Sequence, residues 1–92
     1  MITAYIATIK GRVTGVGFRY YTMRKAQKYP DLKGYVRNVS EVCVEVLVQG
    51  EPEHVELFLD WLKIGPSYAC VRDLKVNQIP INESRGSFRI KY

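Results

Sequence analysis

Ninety-two residues carry fourteen lysines and arginines against nine acids, a formal charge of +5, with 47% hydrophobic and 25% charged residues. That length predicts one domain over residues 1–92 with a single modest core, and that composition excludes a disordered or fibrous chain. No apolar run approaches the roughly 20 residues that span a bilayer, and Met1 leads straight into a strand pattern without a signal sequence, so the expectation is a cytoplasmic protein with no membrane part.

From Ile2 to Lys10 both alternating sets are apolar (Ile2, Ala4, Ile6 and Tyr5, Ala7, Ile9), the pattern of a strand interior to a sheet. It ends at Gly11. The next stretch, Lys10-Gly11-Arg12-Val13-Thr14-Gly15-Val16-Gly17-Phe18-Arg19, holds three glycines in seven residues between that strand and a helical segment. Gly15 and Gly17 can adopt positive φ and turn successive N–H groups toward one point, where the following helix presents its positive end. Arg19 adds a planar, permanently charged fork suited to two phosphate oxygens. A dinucleotide fingerprint needs a third glycine where Tyr20 stands, and a phosphate-binding Walker loop needs Lys-Ser/Thr where Phe18-Arg19 stands. An RNA-recognition strand motif partly matches Gly15-Val16-Gly17-Phe18 but belongs on a strand. Alone, the loop would also suit a plain tight turn.

Phe18, Tyr21, Thr22, Ala26 and Tyr29 recur at helical spacing, so the sequence predicts a helix from Phe18 to about Tyr29, stopped by Pro30-Asp31. Lys33 to Val39 and Val42 to Gln49 read as a hairpin, with Val42, Val44, Val46 and Val48 on one face. Gly50-Glu51-Pro52-Glu53 opens a second helix whose buried stripe is Val55, Phe58, Leu59 and Leu62, closed by Gly65-Pro66. Trp61 reads as boundary packing rather than a base-stacking platform. His54, the only histidine, lies beside Glu53 with no local nucleophile or metal-binding cluster, and reads as a surface residue. Cys70 to Ile79 is a long strand, Asn82 to Gly86 a polar turn, and Ser87 to Tyr92 a short last strand. Cys43 and Cys70 lack the close spacing of a zinc half-site and read as two semi-buried free thiols. The basic residues are dispersed, without a block of five, and read as a solubilising surface with mild attraction for anions rather than a nucleic-acid face.

A second stretch, Gly34-Tyr35-Val36-Arg37-Asn38, ends nineteen positions after Arg19. Together, Gly11-Arg12-Val13-x-Gly15-Val16-Gly17-Phe18-Arg19 and Gly34-x-Val36-x-Asn38 closely resemble the signature pair of the acylphosphatase family. Val44-Glu45-Val46, Gly50-Glu51, Trp61-Leu62, Gly65-Pro66, Ala69-x-Val71 and Phe88-x-Ile90 extend the resemblance over essentially the whole chain.

The element order, β-α-β-β-α-β with a short extra strand, implies its own architecture. Right-handed crossovers set the first two long strands parallel with the third between them, which gives an α+β, ferredoxin-like sandwich: an antiparallel sheet, two helices on one face and an extra C-terminal strand. The loop after the first strand and the end of the second then emerge at the same edge. Arg19 and Asn38 therefore meet, whatever the family.

Arg19, Asn38 and backbone N–H groups can clamp a phosphoryl group and orient a water, but none is an acid or base near neutral pH. An acyl phosphate fits such a site, because its carboxylate leaving group has a pKa of roughly 4 and departs without a general acid. The resemblance implies the same roles. In acylphosphatases the arginine binds phosphate within a cradle of loop amides and the asparagine orients the attacking water, which by position means Arg19 with the amides of Thr14, Gly15, Val16, Gly17, Phe18 and Arg19, and Asn38. The water's proton passes to the substrate's own phosphate. The resemblance further implies no cofactor and no metal, inorganic phosphate as product and inhibitor, no specific nucleic acid and a monomer.

The sequence departs from the family pattern at Thr14, where Gln is commoner, at Glu41-Val42 in the hairpin, at Ser67, and by one extra residue near Tyr29-Pro30-Asp31. Two other classes fit the same fold: a non-catalytic module binding RNA or a phosphorylated protein, and an accessory domain of the kind that heads the large carbamoyltransferases of hydrogenase maturation. Loss of Arg19 or Asn38 would favour the first, and both are present; a chain ending at Tyr92 is expected to disfavour the second.

Overall fold

The computed structural model describes residues 1–15 and 17–92. In chain order the elements are β1 (Thr3–Arg12), α1 (Phe18–Ala26), β2 (Lys33–Ser40), β3 (Cys43–Gly50), α2 (Pro52–Leu62), β4 (Cys70–Gln78) and β5 (Arg89–Ile90). They form one five-stranded open sheet in the order β4-β1-β3-β2-β5. β3 is antiparallel to both β1 and β2, so those two run the same way and their C-terminal ends share one edge of the molecule.

The last strand departs from the expectation of a purely antiparallel sheet. β5 lies parallel to β2, Tyr35 opposite Arg89 and Val36 opposite Ile90, and the sheet is mixed. The cause is the route of the chain: β4 sits at one edge and β5 at the other, so residues 79–88 must cross the end of the sheet. Gln49 pins that crossing. Its side chain is only 3% exposed, yet its Oε1 accepts from the Asn82 N–H at 3.0 Å and Arg85 Nε at 2.9 Å, while Nε2 donates to the Asn82 carbonyl at 3.0 Å. A buried amide satisfied this fully stabilises rather than costs.

The core lies between the sheet and the helices. β3 contributes Val44, Val46 and Val48, all wholly buried, β1 contributes Ala7 and Ile9, and the helices contribute Phe18, Ala26, Val55, Phe58 and Leu62. Trp61 packs at its margin, as expected. Val42, read as the first member of the valine face, is instead 60% exposed, because the chain reverses at Glu41-Val42 and alternation no longer decides which way a side chain points.

α1 ends at Ala26, three residues before Tyr29. Pro30 disfavours helical backbone at the residue before it, and the turn tightens: Lys28 N–H reaches Lys25 O at 3.2 Å and Tyr29 N–H reaches Ala26 O at 3.0 Å. Tyr21, placed on the apolar stripe by spacing, is 45% exposed. The two thiols differ from each other, Cys43 buried and Cys70 exposed, and both are free.

Candidate active site at the ends of β1 and β2

β1 leads through a register shift at Lys10/Gly11 into the glycine-rich loop. Gly15 and Gly17 both adopt positive φ, 69° and 77°, a region that costs an L-residue roughly 1–2 kcal/mol. Gly17 is the N-cap of α1, and its carbonyl accepts the first helical bond from Tyr21 N–H at 3.0 Å. No side chain caps this N-terminus and no acidic residue stands in the first turn, which leaves the positive end of the helix uncompensated. Val16 lies outside the described residues.

Arg19, half-buried in that first turn, and Asn38, exposed near the end of β2, line the same cleft, of about 250 Å³, with Thr14, Gly15, Gly17 and Phe18. The topological argument from sequence thus holds: two segments distant in the chain share one small cleft. Among its described lining residues are no aspartate, glutamate, histidine or lysine. Thr14, where the family more often has Gln, donates its hydroxyl to the Glu41 carbonyl and ties the loop to the β2–β3 turn.

Four lining residues are not among those the sequence assigns to the site: Val13, Tyr20, Ile90 and Tyr92. The Arg19 guanidinium carbon stands 5.2 Å from the centroid of the Tyr92 ring, a cation–π distance. Tyr92 arrives there because Lys91 N–H bonds Val36 O at 2.9 Å, which sets the end of the chain beside Asn38. The only signal in the sequence was the apolar Phe88-x-Ile90 pair; its partner strand was not encoded locally.

Arg37, one residue before Asn38, points to the other face of the sheet. Its Nε meets Glu45 Oε2 at 2.8 Å, and the Tyr35 hydroxyl donates to the same oxygen at 2.7 Å. The Arg37 hydrogen bond holds Glu45 below the ordinary carboxylate range, against the opposing effect of burial. His54 lies at the far end of the molecule. It is partly exposed, and nothing in the sequence pointed to its neighbours: its Nδ1 is 2.6 Å from Asp31 Oδ1 and its ring stacks on Tyr29 with centroids 5.0 Å apart.

A family model described as Acylphosphatase matches residues 5–90. The chain belongs to the acylphosphatase family. The acylphosphatase of Colwellia psychrerythraea is 42% identical over 83 residues, 90% of this chain and 92% of that protein, and that of Bacillus pumilus is 41% identical over 95% of this chain and 96% of its own. Among solved structures, the acylphosphatase from Bacillus subtilis matches with a TM-score of 0.90 at 34% identity over the whole of both chains. Full-length HypF, crystallised in a phosphate- and nucleotide-bound form, matches at TM-score 0.89 and 33% identity, all of this chain against 12% of that one. Acylphosphatase-family membership and the ferredoxin-like sandwich are thus shown together.

Proposed function

We propose that this acylphosphatase-family enzyme cleaves the carboxyl–phosphate bond of small acyl phosphates, with Arg19 and the loop amides holding the phosphoryl group and Asn38 orienting the water. The oxygen of that water forms the new bond to phosphorus while the bond to the acyl oxygen breaks, its electron pair leaving on the carboxylate. One proton of the water passes to a phosphate oxygen of the substrate, so carboxylate and inorganic phosphate are the products.

The observation that carries this reading is the composition of the cleft. A guanidinium, an amide and an uncapped helix N-terminus serve an anion and a water, and no carboxyl, imidazole or ammonium side chain stands among the described lining residues. Nothing on the described walls protonates an alkoxide leaving group, and an acyl phosphate needs no such help. Of the departures from the family pattern, Thr14 stands in this lining, while Glu41-Val42, Ser67 and the extra residue near Pro30 do not.

Phosphate release from benzoyl phosphate, with a stable alkyl phosphate as control, tests the reading. Rapid turnover of the first and none of the second is expected. Comparable rates on both, or no release from benzoyl phosphate, would overturn it.

A further inference from the structure

A second cleft, larger than the one holding Arg19, opens on the opposite flank of α1, where Pro66 and Ser67 of the α2–β4 connection approach the helix. Its volume is about 630 Å³, and its walls include Tyr21, Arg24, Lys25, Lys28 and Trp61. Tyr21, Arg24 and Lys25 are spaced i, i+3, i+4 on one face of α1, and Lys28 follows in the turn just beyond its end at Ala26. The core-facing stripe of α1 is Phe18, Thr22 and Ala26, and this outer side, with the turn after it, gathers three cations on one cleft.

No acidic side chain neutralises the face. Among the described residues the ion pairs are Arg37 with Glu45, His54 with Asp31 and Lys63 with Asp60. Arg24 turns one nitrogen to the Tyr20 hydroxyl at 3.0 Å, which leaves the rest of its fork free. Basic residues do suit the negative end of a helix, and Trp61 packs at the margin of the core; what these leave over is that both meet Tyr21 in the walls of one cleft. Tyr21 and Trp61 supply flat apolar surface, and the cations supply phosphate-sized anchors.

We propose that this cleft binds a nucleoside triphosphate, its polyphosphate on Arg24, Lys25 and Lys28 and its base against Trp61 and Tyr21. The volume is that of a small-molecule site rather than a groove for a polymer. Cations alone would admit any polyanion; the aromatic pair beside them selects one that carries a ring. The site is separate from the cradle, since none of its lining residues lines the cleft of Arg19 and Asn38.

Trp61 is the only tryptophan in the chain and reports on the cleft directly. Its fluorescence, excited where adenine does not absorb, would be titrated with adenosine triphosphate and with inorganic tripolyphosphate in the parent, in Lys25→Ala/Lys28→Ala and in Arg19→Ala. Saturable quenching by the nucleotide is expected, weakened about tenfold or more in the lysine pair and unchanged in Arg19→Ala. Tripolyphosphate should bind more weakly. The lysine pair should keep the parent's turnover of benzoyl phosphate, which shows it folded. Absence of saturable quenching, tripolyphosphate binding as tight as the nucleotide, or quenching that survives in the lysine pair but vanishes in Arg19→Ala would overturn the proposal. So would tight binding of a single-stranded oligonucleotide with none of the mononucleotide.

Discussion

The two helices begin in opposite ways. At α2, Pro52 occupies the first turn, Glu53 brings negative charge, and Asp31 accepts the Glu51 N–H at 2.9 Å while its other oxygen meets His54. Burial alone would raise the Asp31 pKa, yet the Glu51 N–H and His54 hold it below the usual value. At α1 there is neither an acid nor a capping side chain, only two glycines at positive φ and Arg19. The start of α2 has carboxylates beside it; that of α1 leaves the place open, as an anion-binding end would.

If that contrast is functional, the heaviest loss falls on Arg19. Arg19→Ala should lower turnover of benzoyl phosphate by about 10³-fold or more and weaken inhibition by inorganic phosphate, with Lys rescuing poorly because it offers a point charge in place of a fork. Steady-state kinetics with phosphate as inhibitor measure both. Near-parental values for the alanine variant would erase the distinction between the two ends.

Asn38 should separate binding from chemistry at the same end. Asn38→Ala is expected to lose about 10²-fold in kcat with phosphate affinity nearly kept, since the cradle and Arg19 remain. The pH profile sharpens this. With no described carboxylate or histidine lining the cleft, kcat should be nearly flat from about pH 5 to 7.5 apart from ionisation of the substrate, and His54→Ala should track the parent throughout. A limb that disappears with His54→Ala would move the chemistry to the wrong end of the molecule.

The smallest effect belongs to the far end and should touch stability alone. Asp31→Ala is expected to cost about 1 kcal/mol, the worth of a lost cap, with turnover unchanged. Because the folded pKa of Asp31 is lowered, its contribution is present above the unfolded carboxylate pKa and fades as pH falls through the folded value. Urea midpoints of parent and variant should therefore differ at pH 7 and converge toward about pH 3. A difference that grows on acidification would contradict that sign.

How far the sequence reached follows the range of the forces involved. β1, the hairpin arms and α2 were legible because burial imposes a local period on Ala7, Ile9, Val44, Val46, Val48, Val55 and Phe58. The meeting of Arg19 with Asn38 was legible because handedness constrains topology. Val42 and Tyr29 were misplaced where a turn interrupts the period. Tyr92 above Arg19, Asp31 against His54 and the parallel seating of β5 depend on segments far apart in the chain, for which no local pattern exists.

β4 forms an outer edge of the sheet for nine residues, unpaired on its far side. Such an edge is a template on which a second chain can add as one more strand. Arg72, Asp73 and Lys75 stand exposed along it, so a strand from a second copy would have to strip water from three charged side chains. These three exposed side chains touch neither cleft, and they bear on whether the protein stays dispersed at high concentration rather than on what it catalyses.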